Sequence, residues 1–122
     1  NVSPKEIFHH FGKNKIIIAN IASPQTVQNI LQNKRVCLSF INILIQKGFQ
    51  LKGTARIIQK KEMEFIQMEK VLTKMTAGHF PFASIIEISV EKVKPIIAPS
   101  YMFYPETTEK ELVKNARVTY GL

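Results

Sequence analysis

The chain has 122 residues, 45% hydrophobic and 21% charged, with 17 Lys or Arg against 9 acidic residues and a formal net charge of +8. That length suits a single domain spanning residues 1–122, large enough for a core and small enough to gain from dimerisation; no run approaches the roughly 20 apolar residues of a membrane helix. A lone cysteine, Cys37, excludes an internal disulfide, and without a signal-peptide pattern at the start the expected location is the cytoplasm.

The charge is unevenly spread. Residues 1–61 carry ten Lys or Arg and one Glu, residues 62–122 carry seven and eight, and aspartate is absent. A basic first half suits an anionic partner, either a phosphorylated small molecule or nucleic acid, although a solvated lysine-rich surface explains it equally well.

Val2–Phe8 reads as a strand, with Phe11 to Asn14 as a hairpin turn. Ile16, Ile17 and Ile18 within Lys15–Asn20 form a β-branched run suited to a strand buried on both faces. Ser23 is an N-cap and Pro24 a first helical residue, while Val27, Ile30 and Leu31 share one helix face that Asn33 ends. Val36–Ile45 is a long strand, expected to bury Cys37. Gly48 marks a bend or bulge, and Phe49–Ile58 returns with Leu51, Gly53, Ala55 and Ile57 on one face.

A second helix is expected from Glu62 to Ala77, with Met68, Val71, Leu72 and Met75 as its apolar stripe and Gly78 as its stop. In Ser84–Ile97, Ile86, Ile88 and Val90 alternate with Glu87, Ser89 and Glu91, which predicts one wet face. A loop from Pro99 to Pro105 leads to a last helix. There Thr108 and Glu111 form a capping box, and Leu112, Ala116 and Tyr120 make the buried stripe. Five hairpin-linked strands interleaved with three helices predict an antiparallel barrel with peripheral helices.

Enzyme motifs are sparse. There is no glycine-rich dinucleotide or P-loop pattern. His9, His10 and His79 lack Cys or carboxylate neighbours at metal-ligand spacing, so no metal site is expected, and His9 and His10 should be exposed. Every acid is Glu, mostly in the second half, which supports neither a Ser-His-acid set nor a carboxylate pair. No catalytic acid, base or nucleophile is nominated. What remains is the Ser23 junction, where a strand ending at Asn20 meets a helix starting at Pro24. Free N–H groups and the positive helix end favour a phosphate there, with Ser23, Gln25 and Thr26 as side-chain donors. A plain helix cap is the competing explanation.

Five segments then share a resemblance: Asn1–Lys5, Asn20–Asn29, Asn33–Phe40, Gln46–Ala55 and Lys94–Tyr101. In this order, across nearly the whole chain, they resemble the pyridoxamine 5'-phosphate oxidase-like family. The resemblance implies a mainly β antiparallel split β-barrel with peripheral helices, the FMN-binding split barrel. It implies a homodimer with FMN at the interface, in which this chain lacks the first of six strands or has it completed by another chain. Carried over residue by residue, Lys5, Asn20, Ser23, Gln25 and Thr26 stand at the flavin phosphate, and Lys47 and Gly48 near the isoalloxazine ring. Surface lysine is the simple alternative for Lys5 and Lys47.

The implied function is that of an FMN-binding flavoprotein, an oxidoreductase whose substrate and acceptor the residues do not name. The rival from another class is a non-catalytic basic module binding nucleic acid or another anionic ligand. Phe8, Phe11, Phe40 and Phe49 fall where the strand pattern wants core, and tryptophan is absent, which counts against nucleic acid. Heme or a deazaflavin on the same fold is a third reading.

Overall fold

The computed structural model describes residues 1–122. Its elements are β1 (Phe8–Phe11), β2 (Lys15–Ala19), α1 (Pro24–Gln32), β3 (Arg35–Asn42), β4 (Lys47–Gln59), α2 (Phe65–Thr76), β5 (Ser84–Ile97), α3 (Ser100–Phe103) and α4 (Glu109–Tyr120). The strands form one antiparallel sheet, ordered β1-β2-β5-β4-β3, that does not close on itself. This is the mainly β split-barrel arrangement with peripheral helices. The chain forms two compact units, Asn1–Val36 with Lys52–Lys92 and Cys37–Leu51 with Val93–Leu122.

In the first unit, β1 and β2 make the expected hairpin, pairing Phe8 with Ile18 and Phe11 with Lys15 across a turn whose Gly12 has φ +69°. β2 then pairs with β5, Ile16 opposite Ile88 and Ile18 opposite Ile86. α2 lies against β1 and β2. Ile7, Ile17, Ala19, Ile58, Phe65, Met68, Leu72 and Ile85 form the core, with Phe11, Ile21, Val71 and Phe82 packed on it. Burying each of the larger of these side chains contributes about 1.5–3 kcal/mol of transfer free energy, so this cluster is what holds the unit.

Several expectations are corrected here. The opening strand starts at Phe8 and not at Val2. Pro4 lacks an N–H for a ladder, while the Asn1 side chain bonds Thr26 and Asn29 of α1 and Lys5 bonds Ser23 just before it. On α2 the buried face is Phe65, Met68, Leu72 and Thr76, which turns Met75 outward at 44% exposure. Along β4 the inward phase runs Leu51, Gly53, Ala55 and then Ile58, not Ile57. β5 has no wet face over its first five residues. All of Ser84–Ile88 are buried, including Glu87 at 4% exposure, whose carboxylate lies 3.5 Å from Lys15 Nζ and 3.3 Å from Arg56 Nη2.

In the second unit β3 and β4 are joined by a turn over residues 43–46. β3 ends at Asn42, not Ile45, because Asn42 closes the turn: its carbonyl accepts from Gln46 N–H at 2.8 Å and its side chain from Leu44 N–H at 3.0 Å. Gly48 is a strand residue whose missing Cβ is required, since a Cβ there would collide with the Phe40 carbonyl oxygen. Cys37 is exposed, and Phe40 and Phe49 are half-exposed although in ring contact, at 5.9 Å between centroids. Phe8 of the first unit is likewise half-exposed. The proline-rich loop contains α3. α4 is capped as expected, Thr108 Oγ1 accepting from Glu111 N–H at 3.2 Å, but it has no buried residue and Tyr120 is half-exposed. No helix is long and apolar enough to cross a membrane.

Candidate functional site

Where β2 ends, the chain turns into α1 through Ala22, held at φ +49° in the left-handed region that side-chain-bearing residues seldom adopt. That turn presents Ser23 at the helix start, but Ser23 does not cap the helix. Its hydroxyl donates to the Ile21 carbonyl at 3.0 Å and accepts from Lys5 Nζ at 2.6 Å. Pro24 has no N–H to satisfy, and the Gln25 and Thr26 N–H groups precede the first intrahelical bond, from Val27 N–H to the Ser23 carbonyl at 3.2 Å. α1 has no acidic residue in its first turn to neutralise its positive end.

Lys5 is the cation of this group. None of the ion pairs in the chain includes it, and burial pushes its ammonium below the usual lysine range. A partly desolvated lysine without a carboxylate favours an anionic ligand, which would stabilise its charged form. Thr26 Oγ1 accepts from Asn1 Nδ2 at 3.1 Å, and Asn1 Oδ1 accepts from Asn29 Nδ2 at 2.7 Å. Gln25 is turned along the helix onto Asn29 at 2.9 Å. Asn20 donates to Ser84 Oγ at 2.8 Å and leaves its Oδ1 buried without a partner. An orphaned buried acceptor is costly, and a ligand hydroxyl or N–H would satisfy it.

Beside Lys5 opens a cleft of about 270 Å³, lined by Pro4, Lys5, Glu6, Ile7, Ala19, Ile21 and Phe80. Of the residues singled out from sequence only Lys5 lines it. Lys5, Ser23 and Thr26 gather at the start of α1, whereas Gln25 faces Asn29.

Lys47 and Gly48 belong to the second unit. Lys47 Nζ donates to Glu109 Oε1 at 2.8 Å and stands 4.3 Å from the Tyr101 ring centroid. The bond to Glu109 raises its pKa above the usual lysine range.

The family model of pyridoxamine 5'-phosphate oxidase matches residues 1–96. The chain belongs to this family. Solved structures share the fold at low identity. HupZ of Group A Streptococcus is 21% identical over 76% of this chain and 71% of its own, with a TM-score of 0.63. An FMN-binding protein of Syntrophomonas wolfei is 18% identical over 80% of this chain and 69% of its own, with a TM-score of 0.62. General Stress Protein 26 of Bacillus anthracis is 16% identical over 73% and 69%, with a TM-score of 0.55. No curated protein matches.

Within the family frame, the site gains residues that sequence reading did not nominate. Asn1 bonds Thr26 and is itself held by Asn29, and Tyr101 and Glu109 hold Lys47. These partners lie 25 to 62 residues apart along the chain, and no local pattern marks them.

Proposed function

We propose that this chain is an FMN-binding flavoprotein that seats the flavin phosphate at the start of α1. The observation that carries the reading is the Lys5–Ser23 pair: an ammonium without a carboxylate, 2.6 Å from a hydroxyl at an uncapped helix N-terminus. Lys5, oriented by Ser23, would supply charge, Thr26 a hydroxyl, and the first turn N–H donors, a set suited to a phosphate. Asn20 Oδ1 suits a hydroxyl of the flavin's sugar-like chain. Family membership supports the same reading, as does the fold shared with an FMN-binding protein.

Bound FMN would supply hydride and single-electron transfer, for which the protein provides placement and electrostatics. We therefore read the chain as a flavin-dependent oxidoreductase, with Lys47 and Gly48 as the ring contacts the resemblance nominates. A homodimer belongs to this reading. The second unit has one buried hydrophobic, Leu51, yet leaves Phe40, Ile41, Ile43 and Ile97 about half exposed, which favours covering by a second copy.

The test is the absorbance spectrum of the purified protein with and without added FMN, together with flavin fluorescence on titration. Flavin bands on the protein and quenched emission are expected. Absence of binding at high micromolar FMN, with salt-sensitive retention on nucleic acid, would return the chain to the basic-module reading.

A further inference from the structure

One downstream segment holds Lys47 and the turn before it. Glu109 Oε1 accepts from Lys47 Nζ at 2.8 Å, and the Tyr101 ring lies under the same ammonium at 4.3 Å. Two further bonds fix the segment to the turn: Ala98 N–H donates to the Gln46 carbonyl at 3.1 Å, and the Tyr101 hydroxyl to the Ile45 carbonyl at 2.6 Å. Gln46 is left-handed at φ +55°. The turn is therefore held in a conformation that these contacts support.

Beyond these bonds the segment is thinly anchored. α4 buries no residue; Leu112, Val113 and Ala116 are half-buried, and Tyr120 shares an apolar groove with Ile41, Ile43 and Ile97. Its ends are well closed, by Thr108 at the start and by Gly121 and Leu122 onto Arg117 at the finish. Even a capped helix of this length has little stability of its own in water, and segments with few buried contacts open first. The Lys47–Glu109 pair is exposed, so its attraction is weak and exchangeable.

We propose that residues 99–122 form a strap that occupies Lys47 from within the chain. Glu109 stands in for a ligand acceptor, and the strap lifts from the β3–β4 turn when the ligand takes the lysine. The proposal rests on the reading of Lys47 as a flavin contact. It predicts that weakening the strap's hold improves binding, the opposite of what a purely structural ion pair would do.

The experiment titrates FMN into the wild-type chain, Glu109→Gln and Glu111→Gln, and follows limited proteolysis across residues 104–108 with and without FMN. Glu111→Gln removes the same charge from the α4 first turn without touching Lys47. Glu109→Gln should bind FMN about two- to fivefold more tightly, the range set by an exposed ion pair. Glu111→Gln should match wild type, and FMN should speed cleavage in the strap. If wild type binds and Glu109→Gln binds equally or more weakly, the strap is overturned and the flavin reading stands. FMN that leaves strap cleavage unchanged overturns it too. Binding by Glu109→Gln alone supports a strap that masks the site, and binding by none of the three overturns both readings.

Discussion

Lys5 Nζ lies 2.6 Å from Ser23 Oγ, and the Ser23 hydroxyl proton is already committed to the Ile21 carbonyl. Ser23 can therefore only accept from Lys5, so it fixes one amine hydrogen and leaves the others for a ligand. Ser23→Ala removes this acceptor. It should weaken FMN binding by about three- to tenfold, the size of one such bond, with little change in Tm. Isothermal titration with a parallel melting curve separates the two effects.

The same lysine makes binding pH-dependent. Burial lowers its folded pKa, so in the ligand-free chain the unfolded state keeps the proton to higher pH. Stability from this group therefore rises as pH climbs through the lowered folded pKa towards the unfolded value. A bound phosphate favours the ammonium, so FMN affinity should fall over that alkaline window. Lys5→Arg stays charged there and should flatten the profile; binding measured across the alkaline range checks both slopes.

Glu87 is buried between Lys15 and Arg56, both themselves part-exposed. Glu87→Gln removes the shared charge while water can still reach both cations. The expected loss is about 1–2 kcal/mol, below the cost of stranding a fully buried partner. Denaturant unfolding should show a lower midpoint with an unchanged slope.

Gly48 has a structural duty that does not depend on a ligand. A Cβ there meets the Phe40 carbonyl oxygen, so the β3–β4 backbones must move apart in Gly48→Ala. We expect about 1–3 kcal/mol of destabilisation in the absence of FMN, read as a lower Tm. An unchanged Tm would remove this role.

Ala77 caps α2 at φ +50°. Ala77→Gly relieves the left-handed strain, partly offset by the extra freedom of an unfolded glycine. A rise in Tm of about 2–4 °C is the expected outcome, read by thermal melting.

The legible parts of this fold were those set by local chemistry. The Gly12 turn, the Ile16–Ile18 strand, the Pro24 helix start and the Thr108 cap each depend on residues within a few positions. Burial was less legible because it is decided by distant neighbours. Alternation made Glu87 look wet, yet the sheet places it between Lys15 and Arg56 from two other strands. Cys37, Phe40 and Tyr120 looked like core and are exposed, because the second unit has little interior of its own. At the site, residue types pointed to Ser23 and the family resemblance to Lys5, but only the fold joined them across 18 positions. Ser23 looked like a cap and instead serves Lys5, because Ala22 turns the chain before the helix begins.

The most direct measurement compares FMN with riboflavin, which differ by the phosphate, on wild type and the Lys5→Ala, Thr26→Ala double variant. Wild type should bind FMN at least about tenfold more tightly than riboflavin, as expected for a charged hydrogen-bonded phosphate. The double variant should lose most of that preference while keeping its Tm. Equal affinity of wild type for the two flavins, or a preference for FMN that survives the double variant, would contradict a phosphate seat at Lys5 and Ser23.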